Sequence, residues 1–195
     1  MSNARILADL MGTSTTVPSS KLSLVAADMP AGAVLQVVET SMDSRLDLDN
    51  NDWIQVTGFE AAITPSSTSS KILVMCNINI AGDTNSFTIG ARLYHKSGSG
   101  SYAHLAAASS TDTTYADDQG CWFAAGSQYW SNYAREQASA SYLHSPSSTA
   151  VQSYTLYVDD SRNNESVYVN RYHYQTNANY MYSTRSNFVL MEIAG

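Results

Sequence analysis

Four aspartates fall within ten residues in Asp43-Ser44-Arg45-Leu46-Asp47-Leu48-Asp49-Asn50-Asn51-Asp52, a density that raises the question of a calcium loop. Such loops place oxygen ligands at set positions, with a glycine at the sharp turn and a bidentate carboxylate at the end. Starting at Asp47 puts Asp49 and Asn51 in register. It then puts Asp52 where the glycine belongs and Gly58 where the carboxylate belongs, so the motif fails. The stretch reads as a solvated turn before a strand. Asp117-Asp118 and Asp159-Asp160 are neighbours whose side chains diverge in extended chain, and neither forms a ligand set. His95, His104, His144 and His173 have no spacing that proposes zinc. No nucleophile elbow, phosphate loop or dinucleotide fingerprint is present. Carboxylates that meet only in space to cleave a glycoside carry no fixed spacing; Glu60, Glu136, Glu165 and the Asp pairs are the acids available for it. The expectation is a protein without catalytic residues, metal or cofactor.

The residues that could instead make contacts are the tyrosines. All 13 lie at or after Tyr94, and the densest run, Tyr168 to Tyr182, interleaves Tyr168, Tyr172, Tyr174, Tyr180 and Tyr182 with Asn163, Asn164, Asn170, Asn177 and Asn179 just before and within it. A tyrosine offers a flat apolar ring and a hydroxyl at low entropic cost, a combination suited to surfaces that touch glycans or proteins. Trp130, Tyr133, Tyr174, Tyr180 and Tyr182 are the candidate receptor-contact residues. The competing reading is that Tyr168 and Tyr172 complete an aromatic core.

Positioning such residues is the task of strands. Candidates are 33–39, 53–63, 71–80, 86–95, 121–127, 139–143, 151–158, 165–174 and 187–193. In 86–95, Phe87, Ile89, Ala91 and Leu93 alternate cleanly with Thr88, Gly90 and Arg92; in 151–158 the inward set is Tyr154, Leu156 and Val158. In 165–174, alternation puts Tyr168, Tyr172 and Tyr174 on one face, opposite Val167, Val169, Arg171 and His173. Turn-forming stretches separate the strands, at 64–70, 96–100 and 145–148 among others. Many short strands without a long amphipathic helix predict an all-β, jelly-roll-like antiparallel β-sandwich. Strand 71–80 is apolar on both faces: Ile72, Val74, Cys76, Ile78 and Ile80 point one way, Leu73 and Met75 the other. A sandwich strand has one dry face, so Leu73 and Met75 need another cover, a loop of the same chain or a neighbouring subunit. They are the candidate subunit interface.

Ahead of this body, residues 3–12 read as a short helix with Asn3 as N-cap and Ile6, Leu7, Leu10 and Met11 on one stripe. About two turns are marginal alone, so the stripe must dock, on a partner or back on its own domain. A linker, Thr13 to Ser20, follows. The division is 1–32 for the helix and linker arm and 33–195 for the sandwich head.

Composition narrows the classes further. Of 195 residues 44 % are hydrophobic, enough for a core, and only 14 % are charged, with 29 Ser and 16 Thr making up the difference. A net charge of -7 without a basic cluster argues against a nucleic-acid partner. No leader-like run is seen in Met1–Met11 and no apolar run is long enough to span a bilayer, so a soluble product of the cytoplasm is expected. Cys76 and Cys121 make no disulfide framework; burial suits both, and a bridge between them is allowed but not required.

Several stretches resemble tail-fibre and virion-fibre proteins of tailed bacteriophages, particularly phages of aquatic bacteria. They are Ser2-Asn3-Ala4-Arg5-Ile6-Leu7-Ala8-Asp9-Leu10, Val17-Pro18-Ser19-Ser20-Lys21-Leu22, Val34-Leu35-Gln36-Val37-Val38, Leu190-Met191-Glu192-Ile193 and, most distinctive, Ile63-Thr64-Pro65-Ser66-Ser67-Thr68-Ser69-Ser70-Lys71-Ile72-Leu73-Val74. Residues 96–182 match nothing in that pattern. The resemblance implies a homotrimeric β-sandwich head, an N-terminal segment docked on other virion proteins through Ile6, Leu7, Leu10 and Met11, and a distal region that meets the host surface. It implies a virion location, a host-surface glycan as one possible ligand, and no catalysis. Two other classes stay open: a capsid decoration or cement protein without host binding, and a cellular glycan-binding jelly roll of the complement or tumour-necrosis-factor type.

Overall fold

The structure is a computed structural model and describes residues 28–49, 52–84, 86, 88–106, 121–126, 133–160, 165–174 and 182–195. Eleven strands occur among them: β1 (Val34–Met42), β2 (Leu46–Leu48), β3 (Ile54–Ile63), β4 (Lys71–Gly82), β5 (Ile89–Ser97), β6 (Ala103–Ala106), β7 (Phe123–Ala125), β8 (Glu136–His144), β9 (Gln152–Asp160), β10 (Val167–Val169) and β11 (Ser186–Ile193). The sequence-derived segments each overlap one of these. Strands β2 and β6 escaped because three or four residues are too few for an alternation to register.

Three pairs of strands are collinear. β1 and β2 run along β11 and β10 in one continuous antiparallel line, with Met42 opposite Ser186 and Leu46 opposite Val169. β6 and β7 likewise succeed one another along β5. Merging each pair leaves eight strand lines. The first sheet orders them first, eighth, third, sixth (β1/β2, β10/β11, β4, β8), and the second sheet orders them second, seventh, fourth, fifth (β3, β9, β5, β6/β7). That interleaving of two antiparallel sheets is the jelly roll. The loops at 64–70, 98–102 and 145–151 share the lower end; β2, β4, β7 and β9 end, and β3, β5, β8 and β10 begin, at the upper end.

The core fills the space between the sheets with the expected side chains. Ile72, Val74, Cys76, Ile78 and Ile80 of β4 face Ile89, Ala91 and Leu93 of β5 and Tyr154, Leu156 and Val158 of β9, all buried. Phe59 and Phe188 join the two sheets, ring centroids 4.5 Å apart. Phe59 reaches inward through a bulge in β3, where the register jumps between Gln55 and Glu60. Gly58 takes a φ of +80° there, a left-handed turn that a side chain would strain. Thr155 donates its hydroxyl to the Phe59 carbonyl at 2.9 Å and so satisfies the group that the bulge leaves over. At the lower end the buried Glu192 carboxylate accepts from Ser66 N (2.7 Å), Ser66 Oγ (2.6 Å) and Gln36 Nε2 (2.6 Å), tying the β3–β4 loop to both neighbours. Burial alone would push that carboxyl up; the donors outweigh it and hold the group below its usual value.

Both cysteines are free thiols, Cys76 buried within β4 and Cys121 half-buried. Burial pushes both thiols up, against the activation a reactive cysteine needs.

Candidate functional site

The strand expected over 165–174 stops at Val169. Asn170 adopts a φ of +57°, a conformation that asparagine tolerates better than most side chains, and the chain leaves the strand line to rejoin it at Ser186. Buried polar groups close the neck of this excursion. Asn170 Nδ2 donates to the carbonyls of Met42 (2.9 Å) and Ser44 (3.1 Å), bracketing the break between β1 and β2. Ser186 Oγ donates to Asn170 Oδ1 at 2.7 Å and accepts from Asn79 N at 3.0 Å. Asn79 Nδ2 donates to the Arg185 carbonyl at 2.8 Å, and its own carbonyl accepts from Asn170 N at 2.9 Å.

From this neck the tyrosines are displayed beside the start of β8. Tyr133 and Tyr174 meet edge to face, centroids 6.3 Å apart at 89°. Arg135 binds the excursion from below: its guanidinium lies 4.6 Å over Tyr172 and donates to the Tyr182 carbonyl at 2.9 Å. Tyr133 is 52 % exposed, Tyr174 51 % and Tyr182 70 %. Three of the five expected contact residues therefore stand in one surface region; Trp130 and Tyr180 lie outside the described residues, as do Ile6, Leu7, Leu10 and Met11 of the docking stripe and Phe87 of the segment expected over 86–95.

The alternation expected for 165–174 is corrected. Tyr168 and His173 were to face opposite ways, yet their rings stack at 5.1 Å and 14°. The turn at Asn170 reverses the phase, bringing His173 back over Tyr168 and within 3.5 Å of Asp83. Tyr168 is thereby buried, and its phenol is pushed up by that burial, with Asp83 and Asp47 adding and Ser166 and Arg171 opposing.

The acidic stretch read as a solvated turn contributes partners to this region. Arg171 Nη1 donates to both oxygens of Asp47 at 2.5 Å, while its Nε and Nη2 reach the carbonyls of Tyr172 (3.0 Å) and His173 (3.1 Å). Asp49 accepts from Ser166 at 2.6 Å, Asp43 lies 3.8 Å from Arg185, and Arg45 bonds to Ser183. Among the described residues no group of three or more His, Cys, Asp and Glu is placed to hold a metal ion. Sequence reasoning missed Arg135, Arg171 and the Asn79–Asn170–Ser186 neck. Asn170 stood in the Tyr/Asn-rich run, but its partners come from β1, the turn after β1, β4 and β11, up to 128 positions away.

Leu73 and Met75 lie half-buried on the outer face of the first sheet, aligned with residues of three other strands. Val37, Met191, Leu73 and Leu143 form one row across β1, β11, β4 and β8; Glu39, Val189, Met75 and Ser141 form the next. Above them runs a polar row, Ser41, Asn187, Asn77 and Ser139, before the excursion begins. On the second sheet a further ring cluster was also missed: Tyr94 stacks on Tyr157 at 4.0 Å and lies 5.5 Å from His104, and Arg92 packs 3.8 Å over Trp53. These groups are consumed by one another. Gly90 makes room for Trp53, since a Cβ there would meet its ring at 2.9 Å.

No family model and no curated protein sequence matches the chain. Among solved structures it is similar to a chain of the infectious bursal disease virus Gx strain, with a TM-score of 0.45 and 9 % identity over 82 % of this chain and 32 % of that one. It is also similar to the CBM22-1 xylan-binding domain of Xyn10C from Paenibacillus barcinonensis, with a TM-score of 0.30 and 10 % identity over 86 % of this chain and 99 % of that one. The chain thus spans about a third of the viral chain's length.

Proposed function

We propose that this protein is a non-enzymatic virion component of the tail-fibre or fibre-head kind, which meets the host surface, a glycan being the expected ligand, through the tyrosines at its upper end. The observation that carries the reading is a set of exposed tyrosines at this end: Tyr174 and Tyr182 on an excursion with a buried polar neck, which Arg135 grips at the Tyr172 ring and the Tyr182 carbonyl, and Tyr133, edge to face with Tyr174. Large exposed rings gathered in one surface region are costly to solvate and are a common mark of an interaction surface. The nearby basic groups are engaged within the protein, which suits a neutral ligand: Arg171 is satisfied by Asp47, His173 faces Asp83, Arg185 lies beside Asp43, and Arg135 is held by the Tyr172 ring and the Tyr182 carbonyl. Pyranose rings offer C–H faces to phenol rings and hydroxyls to their OH groups, which suits this chemistry. The virion location rests on the bacteriophage-fibre stretches of the sequence, and an N-terminal segment docked on other virion proteins belongs to the same reading. Several copies on one particle would turn weak single contacts into firm attachment.

The test is adsorption of particles carrying Tyr174→Ala with Tyr182→Ala. Loss of about one anchoring ring typically costs a tenfold or greater fall in affinity, so adsorption should drop at least that far with the melting temperature nearly unchanged. Undiminished adsorption would overturn host contact through these rings, and a weakened particle with normal adsorption would favour a decoration role.

A further inference from the structure

The lower half of the first sheet's outer face is apolar on all four of its strand lines. Val34 and Ile193 form its bottom edge with Lys71; the row of Val37, Met191, Leu73 and Leu143 comes next, then Val189 and Met75. Val34, Val37 and Leu143 are each more than half exposed. Two charges border the patch at diagonal corners. Glu39 sits one strand outward from Val189, Lys71 one strand inward from Ile193, and Met191 lies midway between them.

We propose that this face docks on the same face of a second copy of the chain, the two related by a two-fold axis lying in the interface and passing over Met191. An isologous contact demands that the patch complement itself, so that if residue i meets j, j meets i. The diagonal charges meet that demand, because rotation about such an axis exchanges the two corners. Lys71 then faces Glu39 of the second copy, and Glu39 faces its Lys71. The same operation sets Leu73 near Val189 of the second copy and Val37 near its Ile193, while Met191 packs on its counterpart. Strands of the two copies cross steeply, as in orthogonal sheet packing. The polar row of Ser41, Asn187, Asn77 and Ser139 borders the contact above, so both tyrosine excursions stay outside it. The proposal stands apart from ligand binding by those tyrosines, and it puts a two-fold association in place of the three-fold one that the fibre resemblance implies.

Sedimentation of the full chain at micromolar concentration, with circular dichroism to verify folding, tests it. The expected mass is twice that of the 21.1 kDa chain. Lys71→Glu and Glu39→Lys should each weaken pairing about tenfold, since each sets like charges opposite one another twice, and the double exchange should restore it. Leu73→Asn should dissociate the pair while leaving a folded chain. A monomer, a trimer, or a dimer indifferent to both single exchanges would overturn the proposal, and so would a double variant as weak as the singles. Ligand binding by the Leu73→Asn monomer reports separately on Tyr174 and Tyr182.

Discussion

His144 and Asp159 sit at opposite ends of the sandwich and respond to acid in opposite senses. Burial, reinforced by His95 whose ring lies 4.5 Å away, holds His144 down at about 4, and the Tyr154 hydroxyl at 2.9 Å suits its neutral Nδ1. Burial pushes Asp159 up to about 6, with Asp160 and Asp52 adding and Arg92 opposing. As pH falls from 6.5 toward 4 the unfolded chain takes up a proton at His144 that the folded protein refuses, so stability falls. Between about 6 and 3.8 the folded protein holds a proton at Asp159 that the unfolded chain releases, so stability rises. The two largely offset one another. Asp159→Asn removes one side: the variant should melt higher than the parent at pH 7.5, and the gap should close by pH 4. A gap that stays constant between these pH values, followed by thermal melts, would show that Asp159 is not held up as described.

At the scale of the element, the instructive strand is the one that stopped early. Alternation in 165–174 was sound for Val167 and Val169, both buried, and failed beyond them because Asn170 had better partners than a continued ladder. Removing that side chain orphans two carbonyls and a buried hydroxyl, at about 1–3 kcal/mol for an unsatisfied buried group. Asn170→Gly, which keeps the backbone conformation, should lower stability by roughly that amount. Asn170→Ala should lose about 1 kcal/mol more, because alanine also strains at positive φ. Denaturant midpoints measure both. Equal losses would mean that the backbone at Asn170 is not strained. The same logic separates what was legible from what was not in other strands. The inward sets of β4, β5 and β9 follow from a period of two, a local property; β2 and β6 exist only because β10 and β5 supply an edge to pair with.

For the whole molecule, the excursion between β10 and β11 is an appendage on a continuous strand line. Its ends are within hydrogen-bonding distance of one another, Ser186 to Asn170 at 2.7 Å. Replacing residues 171–185 with a short Gly/Asn turn should therefore leave a cooperative melt and the β-rich circular dichroism intact, because loop length costs little and the core residues are elsewhere. Binding to the host surface should vanish. A collapse of the fold would show that the excursion is part of the core and not a display.

The amino-acid sequence by itself determined the class of fold, the inward faces of the long strands and the unusual second apolar face at Leu73 and Met75, because each is written in the spacing of neighbouring residues. It also marked the tyrosine-rich half as the region to watch. Only the tertiary structure decided that Met191, Val37 and Leu143 extend that apolar face, that Arg135 and Arg171 hold the tyrosine region, and that Asp47 and Asp43 pair with Arg171 and Arg185. Those pairings join residues tens to more than a hundred positions apart, and strand register, set by the packing of two sheets, is what brings them together.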